Sequence, residues 1–456
     1  MSFKNSNLHE AMLALVEKSI QQYSMELEVH TKTRELYAEI KMAEEPFRDY
    51  DKTSLFQEEL IFNSMLDYFI ESRKQSLSSL AEYSRCVELM DIDEKISNQI
   101  NKFHILLGGI QYVTHWSYIS HVVKAMVRTY VTHKRVNVER YDKLYSDLES
   151  FLYNSQITLV EVCPLLNFHI SYDTYSITLS DNLSVRRIND EERTFFAEKL
   201  AFFEVSLSDI MNIKYVIEYK FQVSKGFDIG AEIQDQEYPS DLSRIFTAVI
   251  TALRLYKEGA VGAHMLLQIV ALEIPIRIAK ILLGLHVLGL ETDPGIYYTL
   301  TEAEVKEFVT FWKKYSNQIL NLLDSSMTKK DPHKNVKTAL NRFNSAYHKR
   351  NPEDKIVDWI ISFESLFSTK DDPIDSISYR LALRGSRFSK VPSERKEFYH
   401  LLKSVYGVRS KIVHGDIWEQ PKTDVRTLIS KFIVRYLDEL ISGHDHITIL
   451  NSVDFD

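Results

Sequence analysis

The chain has 456 residues, of which 45% are hydrophobic and 26% charged, with a formal net charge of −9. That length suits two or three domains with substantial cores, and the acidic balance excludes a protein that holds long nucleic acid by bulk charge. Two cysteines, Cys86 and Cys163, lie far apart with no C-x-x-C, which excludes a disulfide scaffold and a cysteine-based zinc site.

Residues 1–150 read as a helical region. Met12, Leu13, Leu15, Val16 and Ile20 recur at three- and four-residue steps, as do Leu60, Ile61, Met65, Leu66 and Phe69. Gly108-Gly109 predicts a break before a helix over about 112–130. His115 and His121 are six apart, so they fall on different helix faces and make a poor metal pair. The opening MSFKNSNLHEAML lacks the basic-then-apolar pattern of a secretion signal, and with the cysteine usage it points to the cytoplasm.

Between about 151 and 240 the period shifts towards two. Strands are predicted around Ile157–Val162, Phe168–Ile170, Ile177–Leu179, Leu183–Ile188 and Lys214–Val223, with a break at Pro164 and a tight turn at Asp181-Asn182. A short helix is predicted from Asp190 through Phe203. Arg186-Arg187 is a pair that could touch nucleic acid, although solvated edge-strand arginines are commoner.

Residues 241–456 are predicted helical. The most apolar stretch, Met265 to Leu290, contains Glu273, Pro275, Arg277 and Lys280, so it reads as a core helix broken near Pro275 rather than a membrane span. Ile356, Trp359, Ile360, Phe363 and Phe367 form one apolar stripe. A longer one runs from Val425 to Ile441 and closes at Gly443. The fold class is therefore mainly α, with a small α+β module in the middle.

The most informative segment is Arg409-Ser-Lys-Ile-Val-His414. Five positions on one helix place Arg409 and His414 about 140° apart and roughly 7.5 Å along the axis, too far for a direct pair on one face. An arginine offers a permanent donor fork for phosphate, and a histidine exchanges protons near neutral pH. Together they suit metal-free cleavage of a phosphodiester that carries its own nucleophile, as RNA does in its 2′-hydroxyl. From Tyr379 to His414 there are nine Lys/Arg against two Glu, a local positive field in an acidic chain. No P-loop, GxGxxG, GxSxG or HExxH is present.

Three blocks, RFNSAYHKRNPEDKIVDWIISFESLF (342–367), YRLALRGSRF (379–388) and YGVRSKIVHG (406–415), resemble in order and spacing the Apea-like branch of the HEPN superfamily. NLSVRRINDEER (182–193) and FTAVITALRLYKEGAVG (246–262) are more loosely similar to the region that precedes that domain. The resemblance implies a C-terminal antiparallel helical bundle with its core at about 335–445. It also implies a dimer, or a higher even oligomer, whose Arg-x4–6-His motifs meet to form a metal-independent endoribonuclease site. The family is largely one of prokaryotic antiviral and abortive-infection effectors. By position, Arg409 and His414 become the catalytic pair, with Ser410, Glu364, Arg380 and Arg384 supporting. Arg384, Arg387, Lys390 and Lys411 become RNA contacts.

Ser410 stands where catalytic members often carry Asn, Asp or His, and Asp416 stands where partner-modified toxins carry Tyr. No metal or other cofactor is expected, nor a membrane. The expected substrate is single-stranded RNA or a tRNA loop, and residues 1–150 are a candidate sensor. Two further readings stand beside this one: a non-catalytic module for dimerisation or ligand sensing, and a toxin held inactive by a partner protein or released by a phage trigger.

Overall fold

The structure is a computed structural model, and it describes residues 3–29, 65–66, 68–106, 115–171, 176–188, 213–224, 242–270, 286–290, 298–323, 331–349, 351–369, 377–389, 395–419 and 424–455. Positions 32, 192, 372, 393 and 421 are also described. The expectations at Leu60, Ile61 and Gly108-Gly109, and nearly all of the helix predicted over 190–203, lie outside these residues.

The fold is mainly α, with an antiparallel sheet in the middle of the chain. The N-terminal helices are α1 (Ser6–Gln22), α2 (Lys74–Ser78), α3 (Ala81–Ile92), α4 (Glu94–Leu106), α5 (His115–His133) and α6 (Val138–Tyr153). Asn5 caps α1 by accepting from the Leu8 N–H, and Asn137 caps α6 by accepting from the Arg140 N–H. The predicted stripe of α1 buries Met12, Leu15, Val16 and Ile20. Tyr145 of α6 donates its hydroxyl to the Asn5 carbonyl at 2.8 Å, pinning the two helices at the start of α1.

The main sheet has strand order β3-β4-β5-β1-β6-β7, formed by β1 (Gln156–Leu166), β3 (Ser176–Thr178), β4 (Leu183–Arg187), β5 (Tyr215–Ser224), β6 (Gly262–Val270) and β7 (His286–Leu290). A separate parallel pair joins β2 (Phe168–Ile170) to β8 (Tyr298–Leu300). Asp181-Asn182 turns β3 into β4, with Ser180 and Leu183 bonded to each other across the turn. Pro164 does not end β1. It pairs with Val216 on the β5 side, while on the β6 side the register slips between Val162 and Leu165. A proline has no N–H for the ladder, so a bulge absorbs it. Arg186 points into the module, where it pairs with Glu192 and Glu218 rather than facing a ligand.

One expectation is overturned. The stretch from Met265 to Leu290 is not a core helix where it is described: residues 265–270 belong to a strand beside β1 and His286–Leu290 form its neighbour, while residues 271–285, with Pro275, lie outside the described residues. A mostly apolar run has no clear period of its own and suits a central strand as well as a buried helix. The sheet therefore draws on residues beyond 241, and α7 (Leu242–Tyr256) is inserted between its strands.

The C-terminal region comprises α8 (Glu302–Leu322), α9 (Lys334–Ser345), a 3-10 turn (Ala346–His348), α10 (Pro352–Phe367), α11 (Ile377–Phe388), α12 (Arg395–His414), α13 (Val425–Ile441) and α14 (His446–Phe455). Thr301 and Glu304 form a capping box on α8, and Asn351 caps α10 with Pro352 in its first turn. Helix α10 is central: it packs on α9, α12 and α13. Its Ile356, Ile360, Phe363, Leu366 and Phe367 are buried, and Trp359 is half-buried edge-on to Tyr347. No helix among the described residues is long and apolar enough to cross a membrane.

Candidate functional site

Helix α12 presents two opposed faces. Leu402 and Val405 are buried towards α10 and α11, and Gly385 of α11 makes that approach possible. A Cβ on Gly385 would stand 2.6 Å from Leu402 and 2.7 Å from Phe363, closer than real atoms sit. Three helices meet within one methyl group of contact there, which fixes α12 against α10.

That contact sets the surroundings of Arg409. Its Nε lies 3.5 Å from Oε1 of Glu364 on α10, and its guanidinium lies 5.7 Å from the ring centre of Tyr406, one turn earlier on α12. Neither the Arg409 Nε nor the Glu364 Oε1 completes a hydrogen bond. Burial pushes the Glu364 carboxyl above its ordinary value, against the opposing pull of the Arg409 charge and the Tyr406 hydroxyl. Burial likewise raises the Tyr406 phenol, helped by the neighbouring carboxylate. The result is a half-buried cation held loosely beside a largely buried acid.

His414 occupies the other face, exposed in the last turn of α12. The helix ends in a Schellman motif: Gly415, at φ +76°, donates to the Ile412 carbonyl and Asp416 donates to the Lys411 carbonyl. Glycine suits that left-handed position because it has no Cβ to clash. Trp418 then donates to Glu353 at 2.7 Å, tying the chain after the cap back to the start of α10. The imidazole makes no hydrogen bond or ion pair among the described residues.

The exposed face of α12 carries more than His414. Lys396, His400, Lys403 and Lys411 are exposed there too. At 100° per residue these five side chains fall within an arc of about 80°. Lys396, Lys403 and Lys411 form no ion pair among the described residues. Lys396 and Lys403 are not among the expected RNA contacts; their seven-residue spacing was the signal that they share a face with His414. Tyr406 was also missed, although it stands three positions before Arg409, where helical side chains meet.

The other expected arginines are elsewhere. Arg384 is 4% exposed, and all five of its N–H groups are used: two on Asp372, two on Asp454 and one on the Phe367 carbonyl. An arginine has five donors, so none is left for a phosphate. Arg380 also binds Asp372, at 3.0 Å, and Arg387 donates to the Val453 and Asp454 carbonyls. The expected RNA contact at Arg384 is thus corrected: Arg384 fastens α11 to α14, and Arg387 adds to that fastening through Nη1. The Asp372 carboxyl feels burial pushing it up, but the bonds from Arg384, the Thr369 N–H and Arg380 outweigh this and hold it at about 2. Ser410 is half-buried beside Arg409, and Lys390 lies outside the described residues. No group of three or more His, Cys, Asp or Glu among the described residues could hold a metal.

Comparison of the chain with protein-family models, with curated proteins and with solved structures finds no match.

Proposed function

We propose that the protein is a metal-independent endoribonuclease of the Apea-like HEPN kind, acting as a dimer on single-stranded RNA or a tRNA loop in a defence role. One observation carries the reading: Arg409 is held by Glu364 and Tyr406 on one side of α12, while the capped end of the same helix offers an exposed His414 with no partner among the described residues. RNA would enter along Lys396, His400, Lys403 and Lys411, a track short enough for a few nucleotides and suited to an acidic chain. In the proposed step His414 of one protomer takes the 2′-hydroxyl proton, and the 2′-oxygen attacks the phosphorus. The 5′-oxygen leaves with a proton from the second protomer's imidazole, and the arginines stabilise the charge on the phosphoryl oxygens. The products are a 2′,3′-cyclic phosphate and a 5′-hydroxyl. Exposed Val413 and Ile417, on either side of His414, give a second copy an apolar surface to cover.

The Arg409–Glu364 ion pair also favours a second reading, in which Arg409 braces α12 on α10 and the domain is a non-catalytic dimerisation or sensing module. The two separate when end-labelled RNA is incubated with wild type, Arg409→Ala and His414→Ala in the presence of EDTA. Cleavage by wild type alone supports the nuclease. Cleavage by none of the three, or equally by all, supports the second reading.

A further inference from the structure

Among the described residues, two glycines stand inside helices of the C-terminal region, and the fold accounts for only one of them. Gly385 of α11 is pressed against Leu402 and Phe363, where a Cβ would not fit. Gly407 lies well inside α12, and a Cβ there would meet nothing within 4 Å among the described residues. Nor does Gly407 have the positive φ that favours glycine, as Gly259, Gly415 and Gly443 do. A glycine inside a helix weakens it relative to alanine, because it has more freedom to lose on folding. Neither packing within the chain nor backbone conformation therefore calls for this one.

Its place on the helix is specific. At 100° per residue, Gly407 falls in the middle of the arc formed by Lys396, His400, Lys403, Lys411 and His414. Lys403 stands about 6 Å before it along the axis, Lys411 about 6 Å after it and His414 about 10.5 Å after it. The row of basic side chains is thus interrupted at one position, where the helix backbone itself is the surface. The three lysines form no ion pair among the described residues, and Glu397, the acid on α12, stands about 15 Å before Gly407. A second copy of the helix laid in this gap would bring the same cations against themselves. Val413, the exposed apolar residue of α12, lies about 120° away around the helix. What suits a bare stretch of backbone between two ammonium groups is an anionic chain.

We propose that Gly407 is a positioning residue for the substrate: the gap it leaves lets the sugar–phosphate backbone of single-stranded RNA lie directly against α12 between Lys403 and Lys411, and so sets the line along which the strand reaches His414. The inference rests on the ribonuclease reading above. Glycine is the residue that permits a ligand to approach a backbone this closely. Phosphate contacts carry no sequence information, so the gap fixes where the strand lies and not which bases it carries. A side chain at this position would displace the strand without removing a cation, which separates the effect of Gly407 from that of the lysines beside it.

The test compares full-length wild type, Gly407→Ala and Gly407→Gln. Binding is read with a mixed-sequence, single-stranded 2′-O-methyl RNA, which lacks the nucleophile and is not cut, and cleavage with the natural RNA of the same sequence in EDTA. Both variants should melt at or above wild type, since alanine and glutamine favour a helix over glycine. Gly407→Gln should weaken binding and slow cleavage at least tenfold, with Gly407→Ala between it and wild type. The slope of log affinity against log salt should stay that of wild type, because no cation is removed. The proposal is overturned if Gly407→Gln binds and cuts like wild type, or if it melts well below wild type. It is also overturned if the loss of binding coincides with dissociation of dimers in sedimentation, which would give the gap to a second copy. If wild type itself binds no RNA, the ribonuclease reading falls and this inference with it. Binding by wild type and equally by Gly407→Gln overturns this inference alone.

Discussion

Arg409 and Glu364 face each other at 3.5 Å across the α10–α12 seam without completing a hydrogen bond between Nε and Oε1. The acid is the group under tension, because burial raises its carboxyl above the ordinary 4.5. A carboxyl raised on folding contributes stability that is full below its unfolded value and is lost as pH rises through its folded value. Glu364→Gln should therefore flatten the fall in melting temperature above pH 4.5. If Arg409 needs the acid for orientation, the same variant should lose at least tenfold in RNA cleavage. An unchanged pH profile would show that the acid is ionised at no cost.

Arg409→Ala and His414→Ala should each abolish cleavage. Their stabilities should differ, because the two side chains are placed differently. His414 is exposed and has no partner among the described residues, so its removal should move stability by no more than about 0.5 kcal/mol. Arg409→Ala leaves Glu364 without its cation and should cost roughly 1–3 kcal/mol in denaturant unfolding. Cleavage should persist in EDTA and leave cyclic phosphate ends, which mass spectrometry of the products checks.

Arg384→Ala should act on stability and not on RNA. It takes from Asp372, whose side chain is 4% exposed, two of its bonds while Arg380 and the Thr369 N–H remain, and it releases Asp454, at an expected cost of roughly 1–3 kcal/mol. The Asp372 carboxyl, held near 2, contributes stability that is present above the ordinary 3.8 and lost as pH falls towards 2. The variant should therefore show a shallower acid transition than wild type. RNA affinity per folded molecule should not change.

Lys403→Ala and Lys411→Ala should do what Arg384→Ala does not. Each should weaken RNA binding at low salt and reduce the slope of log affinity against log salt by about 1, with melting temperature unchanged. A slope equal to that of wild type in the double variant would place RNA elsewhere.

Gly385→Ala tests the packing that carries α12. The added methyl would meet Leu402 and Phe363, so it should destabilise by about 1–3 kcal/mol through overpacking. Gly407, whose Cβ would meet nothing within 4 Å, should tolerate alanine and gain slightly in helix propensity. Chemical denaturation of the two variants makes the comparison.

What was legible in the sequence was local. The α1 stripe and the strands at Phe168–Ile170, Ser176–Thr178 and Leu183–Arg187 follow from spacing and turn chemistry, whereas the expected break at Pro164 is absorbed within β1. Long-range partners were not legible. Arg384 looked like a free cation because its partners stand 12 and 70 positions away, and only the fold brings them together. The apolar run after Gly262 was misread because its neighbours β1 and β7, not its own pattern, make it a strand. At the candidate site, Arg409 and His414 were identified by their motif. That one faces an acid and the other faces solvent depends on how Gly385 seats the helix.

The tie between Arg384 and Asp454 also orders events in time. It joins residues 70 positions apart, so it closes a loop that contains both α12 and α13. Contacts within that loop, such as α11 on α12, close far shorter spans and carry a smaller entropic penalty. We expect the Arg384–Asp454 tie to close after these shorter spans. Until that tie forms, Asp372 and Arg384 hold each other without their final partner, and α12 is assembled before this outer fastening is in place.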